Sequence, residues 1–235
     1  MSLTQFMIVT GIVGLGAMLQ GTIGFGLGLF SAPLLILMNP QLVPGPLLGS
    51  SAVLTLLLAR REWHAVQKTD LGWAITGRII GTGLAMGALI LLSESRLEAL
   101  FGIIVLTGVV VTALGLHIRP APKVLTIVGA ASGFMGTLTA IGGPPMALLY
   151  QHESGPRIRG TLSAFFVVGV TLSLTGLTIV GRFGAPELLL SAHLVPGVVL
   201  GFLVSRRTAH ALDRRFIRPA VLAVATFTAL AVLFT

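Results

Sequence analysis

The chain contains no cysteine, so thiolate metal sites, thiol redox pairs and a cysteine nucleophile are all excluded. It is also poor in charge: 9% of its 235 residues are charged, where soluble domains carry about a quarter. A chain so short of charge cannot cover its own surface in water. No acidic or basic side chain precedes Arg60. Because no basic stretch precedes the apolar start, a cleavable signal peptide is not expected. The polar connections are all short, which leaves no room for a globular domain outside a membrane.

What the chain does have is apolar length. Hydrophobic residues make up 54% of it, with 30 glycines, and several runs reach the roughly 20 residues that cross a bilayer. The expected class is an all-α integral membrane protein that crosses the membrane several times, with membrane lipid as its solvent. The net charge of +8 would point a soluble protein toward nucleic acid. Here the basic residues fall in loops and serve to fix orientation, so no nucleic-acid partner is expected.

Uncharged or nearly uncharged stretches cover residues 3–38, 42–59, 71–92, 97–117, 124–150, 160–181, 188–205 and 216–235. The first and fifth are too long for one ordinary span and are interrupted by glycine and proline. One contains GTIGFGLGLFSAP, from Gly21 to Pro33, and the other GFMGTLTAIGGPP, from Gly133 to Pro145. At an offset of 112 residues, Gly21, Gly24 and Pro33 match Gly133, Gly136 and Pro145. This reads as an internal duplication, with halves 1–119 and 120–235 meeting near Pro120 and Pro122.

Charge counting tests the topology. If all eight stretches simply cross, the loops on the two sides carry six and eight Lys/Arg, which is no bias. If 124–150 instead enters and leaves on one face, the loops 60–70, 119–123, 151–159 and 206–218 share a side with twelve Lys/Arg. The other side then has two. The positive-inside rule favours the second arrangement. Limbs of about 12 residues reach roughly 18 Å, past the middle of a 30 Å core. If 3–38 behaves likewise, each half makes three crossings and the second half is inverted. That is the inverted-repeat design of secondary transporters, with broken or re-entrant segments meeting near the bilayer centre. Two short crossings per long stretch give the same parity.

Irregular backbone at membrane depth belongs in protein or beside a wet cavity. Helix starts after such breaks present free N–H groups and a partial positive charge, both suited to an anion. The candidate substrate-binding residues are therefore Gln20, Gly21, Thr22, Gly24 and Gly26, with Gly136, Thr137, Thr139, Gly142, Gly143 and Pro144. The plainer reading is close helix packing through small residues. Two ionisable residues fall within spans, where they are costly. Arg78 lies eight positions beyond Asp70, roughly 12 Å into the membrane, and reads either as a snorkelling anchor or as the fixed charge of an anion path. His193, 115 residues later, reads either as a neutral hydrogen-bonded histidine or as a near-symmetric partner to Arg78. No carboxylate lies deep in a span, so no buried proton relay is evident. An exported monoanion gains about 2.3 kcal/mol per 100 mV when the inside is negative, so export needs no coupling ion.

GTIGFGLGLFSAP and GTLTAIGGPPMALLY resemble the paired signatures of the sulfite exporter TauE/SafE family, across essentially the whole chain. The resemblance implies transport of sulfite, sulfoacetate or another small sulfur-containing or organic anion across the bacterial inner membrane. It marks Gly21, Gly24, Gly26 and Pro33, with Gly136, Gly142, Gly143, Pro144 and Pro145, as matching positions. It does not select one substrate, and Arg78 and His193 stand outside it. A passive anion channel and an uptake permease are the rival transport readings. The five histidines are scattered singly and none has metal-ligand spacing, so neither enzyme chemistry, a metal nor a cofactor is expected. A purely structural role would leave two matched broken segments without purpose. The number of copies in the assembly is left open, a homodimer included.

Overall fold

Helix α1 (Leu3–Ile23) starts at a capping box: the Ser2 hydroxyl accepts from the Gln5 N–H, and the Gln5 side chain accepts from the Ser2 N–H. A computed structural model describes residues 2–114, 119–151 and 153–211, and among them every regular element is a helix. The elements after α1 are α2 (Leu27–Met38), α3 (Gly45–Arg61), α4 (Lys68–Leu91), α5 (Glu94–Leu114) and α6 (Pro122–Thr139). They are followed by α7 (Gly143–Tyr150), α8 (Gly155–Ile179) and α9 (Ala185–Ala211). Six helices, α1, α3 with the turn before it, α4, α5, α8 and α9, are long and apolar enough to cross a membrane. The stretch 216–235 and the end of the 206–218 loop lie outside the described residues.

Both overlong stretches break. In the first, α1 ends at Gly24 with φ 100°, and α2 starts from Gly26 with φ 132°, conformations that a Cβ disfavours. In the second, Ala140 takes the left-handed conformation at φ 62° and α7 starts from Gly142. Ala140 carries a Cβ there, at a cost of about 1 kcal/mol, and Thr139 braces the turn by accepting the Ile141 N–H at 3.2 Å. The chain then turns back on itself. The Leu27 N–H donates to Gln20 Oε1 at 3.2 Å, and Ser31 donates to the Ile12 carbonyl at 3.3 Å, so α2 runs back along α1. Ser132 likewise donates to the Gly142 carbonyl at 2.6 Å.

The limbs are not the equal halves of about 12 residues that length alone leads one to expect. They measure 21 and 12 residues in the first hairpin, and 18 and 8 in the second. Residues 3–23 contain no proline, so α1 runs on until Gly24. Pro33 sits inside α2 and is not the point of breakage.

Close helix pairs form through small residues. A Cβ at Gly77 or Gly81 would strike the backbone of Thr126 or Ala130, so α4 packs parallel to α6. A Cβ at Gly197 or Gly201 would strike the backbone of Thr10 or Gly14, so α9 packs parallel to α1. The two arrangements correspond. The turns match at 116 residues, Gly24 with Ala140 and Gly26 with Gly142. The glycine contacts match at 120, Gly77 with Gly197 and Gly81 with Gly201. Neither spacing is the 112 read from the glycine and proline pattern.

Contacts at the helix ends sort the loops. Arg159 pairs with Glu62, the Gln67 N–H donates to Thr161, and Arg61 donates to Ser205. Leu125 and Leu71 belong to the same apolar cluster. The segments 60–70, 119–123, 151–159 and the end of α9 thus share one end of the bundle, the grouping that gathers most of the basic residues. Gly45 lies against Phe183 at the opposite end.

Candidate functional site

The two broken stretches meet. A Cβ at Gly28, in the first turn of α2, would strike the Ala140 carbonyl, and one at Gly143 would lie 3.0 Å from Phe25 Cβ. Beside this junction is a small, partly open cavity. Gln20, Gly26 and Gly28 line it from the first hairpin, and Gly136, Gly142, Gly143 and Pro144 from the second. Its walls are otherwise mostly apolar, with Leu47 and Leu48 from α3 and Phe166 and Val170 from α8. Ser51 and Arg78 add polar character. A mostly apolar pocket with a few convergent polar groups is the usual form of a small-ligand site.

Arg78 dominates its electrostatics. It sits ten residues into α4, roughly 15 Å along it, and is 2% exposed. Its Nη1 donates to the Ser132 carbonyl at 2.7 Å and to Ser132 Oγ at 3.1 Å. Its Nη2 donates to the Gly169 carbonyl at 3.1 Å and to Ser173 Oγ at 2.9 Å. Three glycines make room for it: a Cβ at Gly136 or Gly142 would lie 2.8 Å from Nη1, and one at Gly169 would lie 2.7 Å from Nε. Among the described residues no carboxylate pairs with it; the ion pairs are Arg61–Glu62, Arg157–Glu153 and Arg159–Glu62. The guanidinium is therefore well hydrogen-bonded but not neutralised. Only Nε lacks a partner among its nitrogens. Arg78 is not a snorkelling anchor, since its head is held inside the bundle.

The helix starts contribute unequally. Pro144 and Pro145 occupy the first turn of α7 and have no N–H to offer. In α2 the corresponding residues are Gly28 and Leu29, and both line the cavity.

Of the residues expected from the sequence, Gln20, Gly26, Arg78, Gly136, Gly142, Gly143 and Pro144 come together here. Five others lie close by but off the cavity. The Gly21 carbonyl accepts from Arg61 at 2.7 Å, and Thr22 bonds the Met18 carbonyl and Thr208. Gly24 packs on Ile158 and Leu162. Thr137 bonds Ser173 at 2.8 Å, supporting the Arg78 cradle, and Thr139 bonds the Met135 carbonyl.

His193 is not brought to the site. It is exposed on α9, with Nδ1 2.8 Å from the Leu189 carbonyl and its ring edge-on to Phe6. The glycine contacts place Val198, fully buried, as the counterpart of Arg78. His193 is five positions before it, about 140° around a helix. Ser51, Ser132, Gly169 and Ser173 escaped the sequence reading, because a serine or glycine in an apolar helix carries no signal of its own.

A buried cation without a carboxylate partner among the described residues thus lies beside a mostly apolar cavity between two broken helices. The family model described as Sulfite exporter TauE/SafE matches residues 8–232, and the chain belongs to that family. It is accordingly a multi-pass membrane transporter of the cell inner membrane. No curated protein and no solved structure matched it.

Proposed function

We propose that the protein is a secondary transporter that exports a small sulfur-containing or organic anion, such as sulfite or sulfoacetate, through the cavity between the hairpins. The observation that carries this reading is Arg78, a buried positive charge beside the cavity with no carboxylate partner among the described residues. A charge in that position is expensive unless something compensates it. A transported anion does so while it is bound.

The four hydrogen bonds to Ser132, Gly169 and Ser173 hold the guanidinium fork, so its role is chiefly that of a fixed field. Direct contacts to the anion come from the α2 first turn and the Gln20 side chain. None of the cavity-lining residues is a carboxylate, which supports export down the membrane potential at about 2.3 kcal/mol per 100 mV. The matched turns and the paired packing of α1 with α9 and α4 with α6 support two inverted repeats, with α1–α2 and α6–α7 as re-entrant hairpins.

Flux of sulfite, sulfoacetate, sulfate and short carboxylates into proteoliposomes tests the reading. The expected result is saturable uptake with counterflow for at least one small sulfur-containing or organic anion. Absence of saturable flux for every anion would refute it, and unsaturable flux without counterflow would make the protein a channel.

A further inference from the structure

A second buried charged cluster lies at the basic end of the bundle, where α1, α3, α8 and α9 converge. Glu62 is 6% exposed and Arg159 4%. Glu62 Oε1 accepts from Arg159 Nε at 2.9 Å and from Arg61 Nε at 3.1 Å. Arg61 also donates to the Gly21 carbonyl at 2.7 Å and to Ser205 Oγ at 3.1 Å, while Arg159 reaches the Thr22 carbonyl at 3.4 Å. Two cations share one carboxylate here. The remaining negative potential comes from the carboxyl end of α1, whose terminal carbonyls point into the cluster.

The position of the cluster matters more than its strength. It binds the last turn of α1, immediately before the turn Gly24–Gly26, to the start of α8 and the end of α9. Apolar contacts adjoin it at the hairpin turns: Phe25 against Gly143, and Gly24 against Ile158 and Leu162. The cluster thus holds the end of α1 against the start of α8 on the basic side of the hairpin turn. A buried ion pair contributes little net stability over an apolar contact, yet opening it is costly, which suits a contact that is made and broken as a unit.

We propose that the Arg61–Glu62–Arg159 cluster is the latch of a gate on the basic side, closed in this conformation. Opening separates Arg159 from Glu62 and frees the α1 end to swing about Gly24–Gly26. The proposal rests on the carrier reading above, but its test does not measure transport.

The chain has no cysteine, so a single Ser51→Cys reports on the cavity directly. In inside-out vesicles, which expose the basic face under the positive-inside rule, its modification by a small impermeant thiol reagent is timed. Glu62→Gln in that background should raise the rate about tenfold, equivalent to roughly 1.4 kcal/mol. Glu153→Gln, which removes the exposed Arg157–Glu153 pair, should leave it unchanged. If Glu62→Gln alone fails to insert, the double variant Glu62→Gln/Arg159→Gln removes both charges and carries the same expectation. An unchanged or slower rate in an inserted variant overturns the latch, as does an equal rise with Glu153→Gln. If no anion is carried by the parent protein, the modification rates still decide the question.

Discussion

Removing the charge of Arg78 is the sharpest test of the site. Arg78 lines the cavity, so an anion bound there sits on the order of 6 Å from the guanidinium. At an effective dielectric of 20, two unit charges at that distance interact by about 2.8 kcal/mol. Water in the cavity lowers this, so a loss of at least tenfold in affinity, about 1.4 kcal/mol, is expected for Arg78→Gln. The variant also loses part of the cradle, since glutamine cannot reach Ser132 and Ser173 together. Thermal stability of the purified protein must therefore be measured alongside binding. Arg78→Lys separates the two effects: it restores the charge without the fork, and should recover part of the affinity while remaining less stable than the parent. Substrate-dependent flux and equilibrium binding in proteoliposomes provide the readout. If Arg78→Gln binds and transports as the parent does, the charge has no part in anion recognition and the site rests on backbone dipoles alone.

Gln20→Glu keeps the acceptor for the Leu27 N–H but puts a negative charge in the cavity, so anion affinity should fall by tenfold or more while the protein still inserts. Gly142→Val and Gly136→Val would press a branched side chain onto the Arg78 guanidinium and should abolish flux, as measured against a membrane-insertion control. His193→Gln, on the outer surface of α9, should leave flux within about twofold of the parent, a change below the roughly 0.5 kcal/mol typical of surface substitutions. Cysteines replacing His64 and Ser93, both exposed at opposite ends of α4, should be labelled by an impermeant reagent only from the cytoplasmic and periplasmic sides, respectively. The opposite pattern would reverse the orientation.

The class, the two broken segments and their convergence were legible because each depends on composition or backbone chemistry. Charge scarcity excludes a soluble fold. Gly24 and Gly26 mark the first break because a Cβ disfavours their conformation, and Gly142 with the two prolines after Gly143 marks the second, although the left-handed residue there is Ala140. The grouping of the basic loops followed from counting Lys/Arg. The Arg78 cradle was not legible: Ser132, Gly169 and Ser173 come from two other helices, and no local pattern announces which serine faces an arginine across a bundle. Glu62 was legible only as a residue at a segment end. Its burial depends on Arg159, nearly a hundred positions away in the chain, which no periodicity reveals.

The difference between the 112-residue spacing of the glycine and proline pattern and the 116-residue spacing of the turns has a specific physical origin. Glycine-rich packing faces repeat every helical turn, so sliding one sequence past the other by four residues rotates the face by only about 40°. The offset of 112 found by matching glycines and prolines is therefore a near-alias of the 116 fixed by the turns at Gly24 and Ala140. The further step to 120 between Gly77 and Gly197 is again four residues, and it too nearly preserves the face. An alias of this kind is harmless for a stripe of small residues, where any member can make the close approach. It is fatal for a single side chain. Pairing Arg78 with His193 at 115 misses the contact register by five residues, and five residues turn the helix by about 140°, from the buried face to the outer one. A proposed pair of functional side chains on two similar broken stretches therefore needs its register fixed by the backbone turns, not by the glycines between them.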